Sequence, residues 1–529
     1  MMRKTAIVVI SAVMLIIAGC GISPNETNGN DSGSNGASNN SSTNRNAMHM
    51  MNGHMGSLST NEQQRKDDND MQGHMSHNRN MNGHMDHENI VPLQASTGEN
   101  KLAIPALLEP DKKGVYTVKA QQGKTAFFEG VLSETFGYNG DLLGPIIRLK
   151  QGEQAAIRIV NELKEETTFH WHGLEVAGQV DGGPHDPLQA GDEQLLKFDI
   201  TQEAATLWFH PHPHNNTASQ VYRGLAGLLY IEDENSAALP LPKEHGKNDF
   251  PLVFQDRLFN EAKQLDYEHA YYSDGTVGDT LLINGTVNPY LEVKREQVRL
   301  RLLNGANARN ITFRLNTGDE FHQIATDGGL LNAPVAQTEI TLTPSERAEI
   351  IVDFSLFAAD QKIELVDEHG TVLLPFHIER GGKANSEPLP KQMNDYAVTE
   401  AEKALPISKK VELFGMMNMV YINGKKFDPD RVDLTQQKGV TEVWEIYNEK
   451  DMMGGMIHPF HIHGTQFKVI SRDGVEPLAH EQGWKDSISV APGERVKIAV
   501  TFEHEGLYMF HCHILEHEDS GMMGQIKVE

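Results

Sequence analysis

Residues 507–514, LYMFHCHI, alternate in a way that a β-strand turns to use. Side chains on a strand point to opposite faces with period two. Leu507, Met509, His511 and His513 therefore share one face, and Tyr508, Phe510, Cys512 and Ile514 the other. Two imidazoles leave one side of the backbone and a thiol leaves the other. Cys512 is also the one cysteine beyond residue 20. Two cysteines in total exclude a disulfide framework, so a thiol set between two histidines reads as a bridge between two ligand sets.

The same His-x-His spacing recurs upstream, at 170/172 in FHWHGLEV, 210/212 in WFHPHPHNN and 461/463 in HPFHIHG. Scattered histidines would give about one such pair in a body of this size. Eight imidazoles exceed the needs of one ion. They suit three, with two ions taking three imidazoles each and one taking two. On the thiol side, His458 precedes the 461/463 pair by three residues, His517 follows Cys512 by five, and Met522 follows it by ten. Two histidines, a thiolate and a weak thioether form the ligand set of a blue copper electron-transfer site. Zinc would need neither the distant methionine nor four histidine pairs beside it.

The surrounding chain has 529 residues, enough for two to four domains. From about residue 95, short β-branched and aromatic runs alternate with Gly, Pro and Asn. Examples are IIRLKQGEQAAIRIVNEL (146–163) and ISVAPGERVKIAVTF (488–502), a pattern of β-sandwiches. With 73 Asp and Glu against 46 Lys and Arg the formal charge is -27, which repels phosphate backbones and argues against nucleic-acid binding. At the N-terminus, MMRKTAIVVISAVMLIIAGC (1–20) is a basic start followed by an apolar run too short to span a bilayer comfortably, the form of a secretory signal. Residues 21 to about 90 have little to bury and are expected to be disordered. Within them MHMMNGHM (48–55), MQGHMSH (71–77) and MNGHMDH (81–87) carry eight methionines and six histidines, donors suited to copper.

On these motifs the chain resembles the bacterial three-domain multicopper oxidases, both laccase-like enzymes and cuprous oxidases of copper resistance. HWHG (170–173), HPH (210–212), HPFHIHG (458–464) and HCHILEHEDSGMM (511–523) carry the resemblance, with GYNGDLLGPIIR (137–148), QVYRGLAGLLY (220–230) and GWKDSISVAPGE (483–494) between them. IAGC (17–20) resembles a lipobox, which implies a lipidated Cys20 and an extracytoplasmic, membrane-anchored protein. The resemblance implies an all-β chain of three cupredoxin-like Greek-key sandwiches, with domains at 93–238, 239–385 and 386–529 behind a signal (1–20) and a tail (21–92). It implies four copper ions. His458, Cys512, His517 and Met522 would hold the type 1 copper, and His170 and His461 the type 2. His172, His210, His212, His463, His511 and His513 would hold the type 3 pair. Asp181 and Glu518 match the acids that supply protons, while O2 is the acceptor and a monomer is expected.

For the reductant, Met456 matches a methionine that in cuprous oxidases helps hold substrate Cu(I), with Asp451 as the matching acid. Between 380 and 410 Met393 is the sole methionine, so no methionine-rich lid is expected and the type 1 edge should stand open to phenols and aromatic amines. The tail points instead to Cu(I) and copper tolerance. A general laccase acting on phenols, pigments or Mn(II), and a non-catalytic surface copper sink, are the alternatives.

Overall fold

The computed structural model describes residues 91–380, 385–450, 452 and 454–529. The expected leader with Cys20, the Met/His repeats and Asp451 lie outside the described residues. No helix among the described residues is long and apolar enough to cross a membrane.

The described residues are all-β, built as three cupredoxin-like sandwiches. Two four-stranded sheets form the first, a six- and a seven-stranded sheet the middle one, and two five-stranded sheets the third. The local reason is visible in Gln154–Asn161, where alternate side chains are buried and the others half-exposed. That strand lays its apolar face on a core with Val118, Trp171, Leu207 and Leu229. Parallel pairs between strands distant in sequence, such as Tyr116–Phe128 with Gln154–Asn161 and Ile146–Lys150 with Gly227–Glu232, require the crossovers of a Greek key. The chain enters along the middle sandwich, where Asn100–Lys101 pairs in parallel with Pro289–Val293.

Two contacts place the sandwiches against one another. Asp249–Arg257 is buried along its whole length because it is covered on both faces. Its Val253 packs with Leu303 against Leu143, Ile146, Trp208 and Leu228 of the first sandwich. There Arg301 donates two 2.7 Å hydrogen bonds to Asp249 and one of 2.8 Å to Thr206 Oγ1 of the first sandwich, and pairs with Glu349 at 3.0 Å.

The first and third sandwiches meet backbone to backbone at two glycines. A Cβ on Gly506 would stand 2.5 Å from the Gly178 nitrogen, and one on Gly178 would stand 2.8 Å from the Gly506 Cα. Tyr508 Oη clamps the same contact by donating to the Val176 carbonyl at 2.9 Å. Gly506→Ala therefore drives the two sandwiches apart. We expect a loss of about 1–3 kcal/mol of stability, the usual cost of overpacking, read as a lower thermal unfolding midpoint. An unchanged midpoint would contradict this close approach.

Candidate metal centre

His170 and His210 sit opposite each other in an antiparallel bridge, exchanging backbone hydrogen bonds of 2.9 and 3.1 Å. This brings the 170/172 and 210/212 pairs together within the first sandwich. In the third, His458–Ile462 lies between Ser487–Val490 and Gly506–Cys512, with His461 opposite both Ser487 and His511 and Phe460 opposite Cys512. The strand register thus sends His461 and His511 to one side and Cys512 to the other. The expected strand over 507–514 ends at Cys512, and His513 follows it, held by its N–H to the Pro459 carbonyl at 2.7 Å.

All eight paired histidines are buried, none more than 1% exposed. Their ring nitrogens group as His170, His172 and His461, as His172, His210 and His513, and as His212, His463 and His511, each set within 4.8 Å. Six of the outward nitrogens are committed. Nδ1 of His170, His210, His461 and His511 faces the carbonyls of Asp181, Pro211, Asp486 and Cys512 at 2.8–3.1 Å. His463 Nδ1 faces Asp181 Oδ2 at 2.7 Å, and His172 Nε2 faces Asp486 Oδ1 at 3.0 Å. These acceptors fix the tautomers of the six rings and turn their lone pairs inward.

Inside, the nitrogens stand 3.1 Å apart for His463 and His511, 3.3 Å for His212 and His511, and 3.4 Å for both His170 with His461 and His172 with His210. Neither ring nitrogen of His513 has a hydrogen-bond partner. Burial, and then the neighbouring imidazoles, holds His172, His210, His212, His461 and His463 well below the usual histidine range. His513 is lowered likewise, and burial pushes His511 down to about 3. Neutral lone pairs facing one another in a dry interior fit metal cations and little else.

Across the strand, Cys512 Sγ lies 3.5 Å from His458 Nδ1 and 3.8 Å from His517 Nδ1. Met522 is fully buried in the same core, and its carbonyl accepts from the Cys512 N–H at 3.1 Å. Burial raises the Cys512 thiol far above its usual range, so it becomes a thiolate only by binding metal. These donors match a copper site of the blue type.

Asp181 and Glu518 flank the imidazoles. Asp181 reaches His463 as above and lies 3.5 Å from His170 Nδ1. Glu518 stands 3.4 Å from His212 Nε2 and 3.2 Å from His511 Nδ1, and burial, then the nearby Asp519 charge, pushes its carboxyl well up. Met456 is buried in the third core, and Asn448 Nδ2 donates to its carbonyl at 2.7 Å.

The expected open edge at His517 is overturned. His517 is fully buried, and its Nε2 lies 3.6 Å from Asp274 Oδ1. The cause is the segment around Asp274, which leaves the middle sandwich and packs Val277 into the third core. Met417, in the turn between two paired strands, adds a hydrogen bond from its backbone N–H to the same carboxylate. Sequence reasoning missed Asp274, as it missed Asp486, whose contacts arise from strand register and carry no local signal.

Two family profiles, each described as multicopper oxidase, match residues 110–236 and 396–529. "Multicopper oxidase mco" of Staphylococcus haemolyticus is 50% identical over 446 residues, covering 84% of this chain and 95% of that protein. This chain belongs to the multicopper oxidases. A laccase structure from Pediococcus acidilactici is 44% identical, with a TM-score of 0.79 over 83% of this chain and 96% of that one. The family also holds other roles, since "Cell division protein FtsP" of Escherichia coli is 33% identical over 457 residues, 83% of this chain and 95% of that protein. As a multicopper oxidase the chain is an oxidoreductase with copper cofactors, passing electrons from a reductant to O2.

One consequence concerns the metal-free chain. The seven histidines held low are neutral when folded, whereas in the unfolded chain they gain protons below about pH 6.5. The unfolded state then binds more protons, so stability falls as pH drops through that value, by up to ~1.4 kcal/mol per pH unit per histidine. Urea unfolding of metal-free protein should show the midpoint dropping steeply between about pH 7.5 and pH 5. A flat midpoint would contradict the buried neutral cluster.

Proposed function

We propose that this multicopper oxidase oxidises Cu(I) in copper tolerance, outside the cytoplasm and tethered through a lipidated Cys20 as a monomer. Four coppers would be held as one type 1 ion by His458, Cys512, His517 and Met522, one type 2 ion by His170 and His461, and a type 3 pair by the six remaining imidazoles. Bound there, copper supplies one-electron oxidation of the reductant and four-electron reduction of O2 to water. The chain's own part is to bind, to orient and to handle protons. Cys512 stands between His511 and His513, so two peptide units join the thiol site to the imidazole cluster. The Glu518 carboxyl holds a proton beside His212 and His511, and Asp181 offers a second carboxylate beside His463.

The covered edge at His517 carries the reading of the reductant. A carboxylate from Asp274 and the methionine turn 416–419, with Met419 67% exposed, stand where electrons must enter. A small soft cation fits such an entrance better than a bulky ring does. The Met/His tail supplies the same donor chemistry in the sequence. A phenol-oxidising reading draws support from the laccase name of the Pediococcus relative.

Oxygen uptake by the copper-loaded chain separates the two. The expected result is faster uptake with Cu(I) than with a simple phenol at equal low concentration. Met417→Leu and Asp274→Asn should each raise KM for Cu(I) about 10-fold, equivalent to ~1.4 kcal/mol, and leave phenol oxidation nearly unchanged. Uptake driven mainly by the phenol, untouched by either substitution, would favour the laccase reading. Glu518→Gln should slow turnover by about 100-fold with copper content intact, the scale of losing a positioned acid. Unaltered turnover would remove Glu518 from the proton supply.

A further inference from the structure

Among the described residues, none of the candidate ligands of the four coppers lies on the middle sandwich, yet its Arg347 reaches them through a single carboxylate. Arg347, on the strand Arg347–Asp353, is fully buried. It grips Asp486 of the third sandwich with both arms, Nη1 to Oδ1 at 2.7 Å and Nη2 to Oδ2 at 2.5 Å. Its remaining donors go to the carbonyls of Thr206 at 3.0 Å, Ser345 at 3.1 Å and Asp327 at 3.0 Å. All five guanidinium hydrogens are thereby used, and the fork cannot turn.

Asp486 spends what is left on the cluster. Oδ1 lies 3.0 Å from His172 Nε2 and accepts from Ser487 Oγ at 3.0 Å, while Oδ2 accepts from Gln466 Nε2 at 2.9 Å. Its backbone carbonyl faces His461 Nδ1 at 2.8 Å. The rings of His172 and His461 stack at 3.7 Å with 9° between their planes. One residue therefore orients two stacked imidazoles that come from different sandwiches. The glycine of HWHG makes room for it. A Cβ on Gly173 would meet Asp486 Oδ2 at 2.3 Å and Arg347 Nη2 at 2.9 Å, on a backbone with φ of +86°.

We propose that Arg347 and Asp486 are positioning residues of the cluster, the guanidinium fixing the carboxylate and the carboxylate fixing the tautomer and direction of His172 and, through its carbonyl, the direction of His461. The middle sandwich thus acts on copper without supplying a ligand. The proposal rests on the copper reading of the cluster.

The test compares Asp486→Asn, Arg347→Lys and a control, Arg301→Lys, which alters a buried ion pair of the same sandwich that touches no imidazole. Full-length chains are loaded with copper. Three quantities are read: the blue thiolate band at Cys512 as a mark of correct folding, copper per chain, and the rate at which a chelator strips cluster copper, followed by its electron paramagnetic resonance signal. The expected result is a retained blue band in all three, with cluster copper held about 10–100-fold more weakly in Asp486→Asn, and an altered cluster signal in Arg347→Lys but not in Arg301→Lys. If Asp486→Asn does not fold, Arg347→Lys against Arg301→Lys decides. Identical cluster signals and copper retention in Arg347→Lys, Arg301→Lys and wild type would overturn the proposal. A wild-type chain with a blue band and no cluster copper would overturn the copper reading with it.

Discussion

Eight buried imidazoles converge in a dry interior with ring nitrogens facing one another, and most of the architecture answers to that fact. Six of the eight rings tie their outward nitrogen to a carbonyl or a carboxylate, which decides the tautomer before any metal arrives. Burial keeps the rings neutral, the state in which they bind cations. An arrangement that is costly when empty and satisfied when loaded makes metal binding part of folding.

Such convergence needs precise placement of separate sandwiches, because the ligands come from the first and the third. The Gly178–Gly506 contact removes side chains where the two backbones meet, and Tyr508 locks it. The middle sandwich touches both, the first through Arg301 and Thr206 and the third through Arg347 and Asp486. Cys512 gains its place from the same geometry. A strand that turns His511 toward the cluster turns the next residue into the third core, among His458, His517 and Met522.

The paired histidines that converge were legible in the sequence because period two is a property of the strand itself. A His-x-His pair beside an aromatic run declares a shared face without any knowledge of tertiary structure. The all-β class followed from the same short alternating runs. What stayed hidden depends on register and on contacts between sandwiches. Asp486 is one residue before Ser487, the strand partner of His461, and nothing local marks it. Arg347 lies 139 residues from the carboxylate it holds. The absence of a methionine-rich insertion suggested an open edge at His517, but a segment of the middle sandwich around Asp274 covers it, and only packing reveals that. Met456, matched by resemblance to a methionine that holds substrate Cu(I), is buried in the third core, which its place in the sequence does not announce.

The central claim is that the thiol site and the imidazole cluster form one unit that reduces O2 fully. Its most direct test is the ratio of reductant oxidised to O2 consumed by the copper-loaded chain, with a peroxide assay run on the same sample. The account predicts four electron equivalents per O2 and no free peroxide. Two equivalents per O2 with matching peroxide would show that the imidazole cluster does not act with Cys512, and would contradict it.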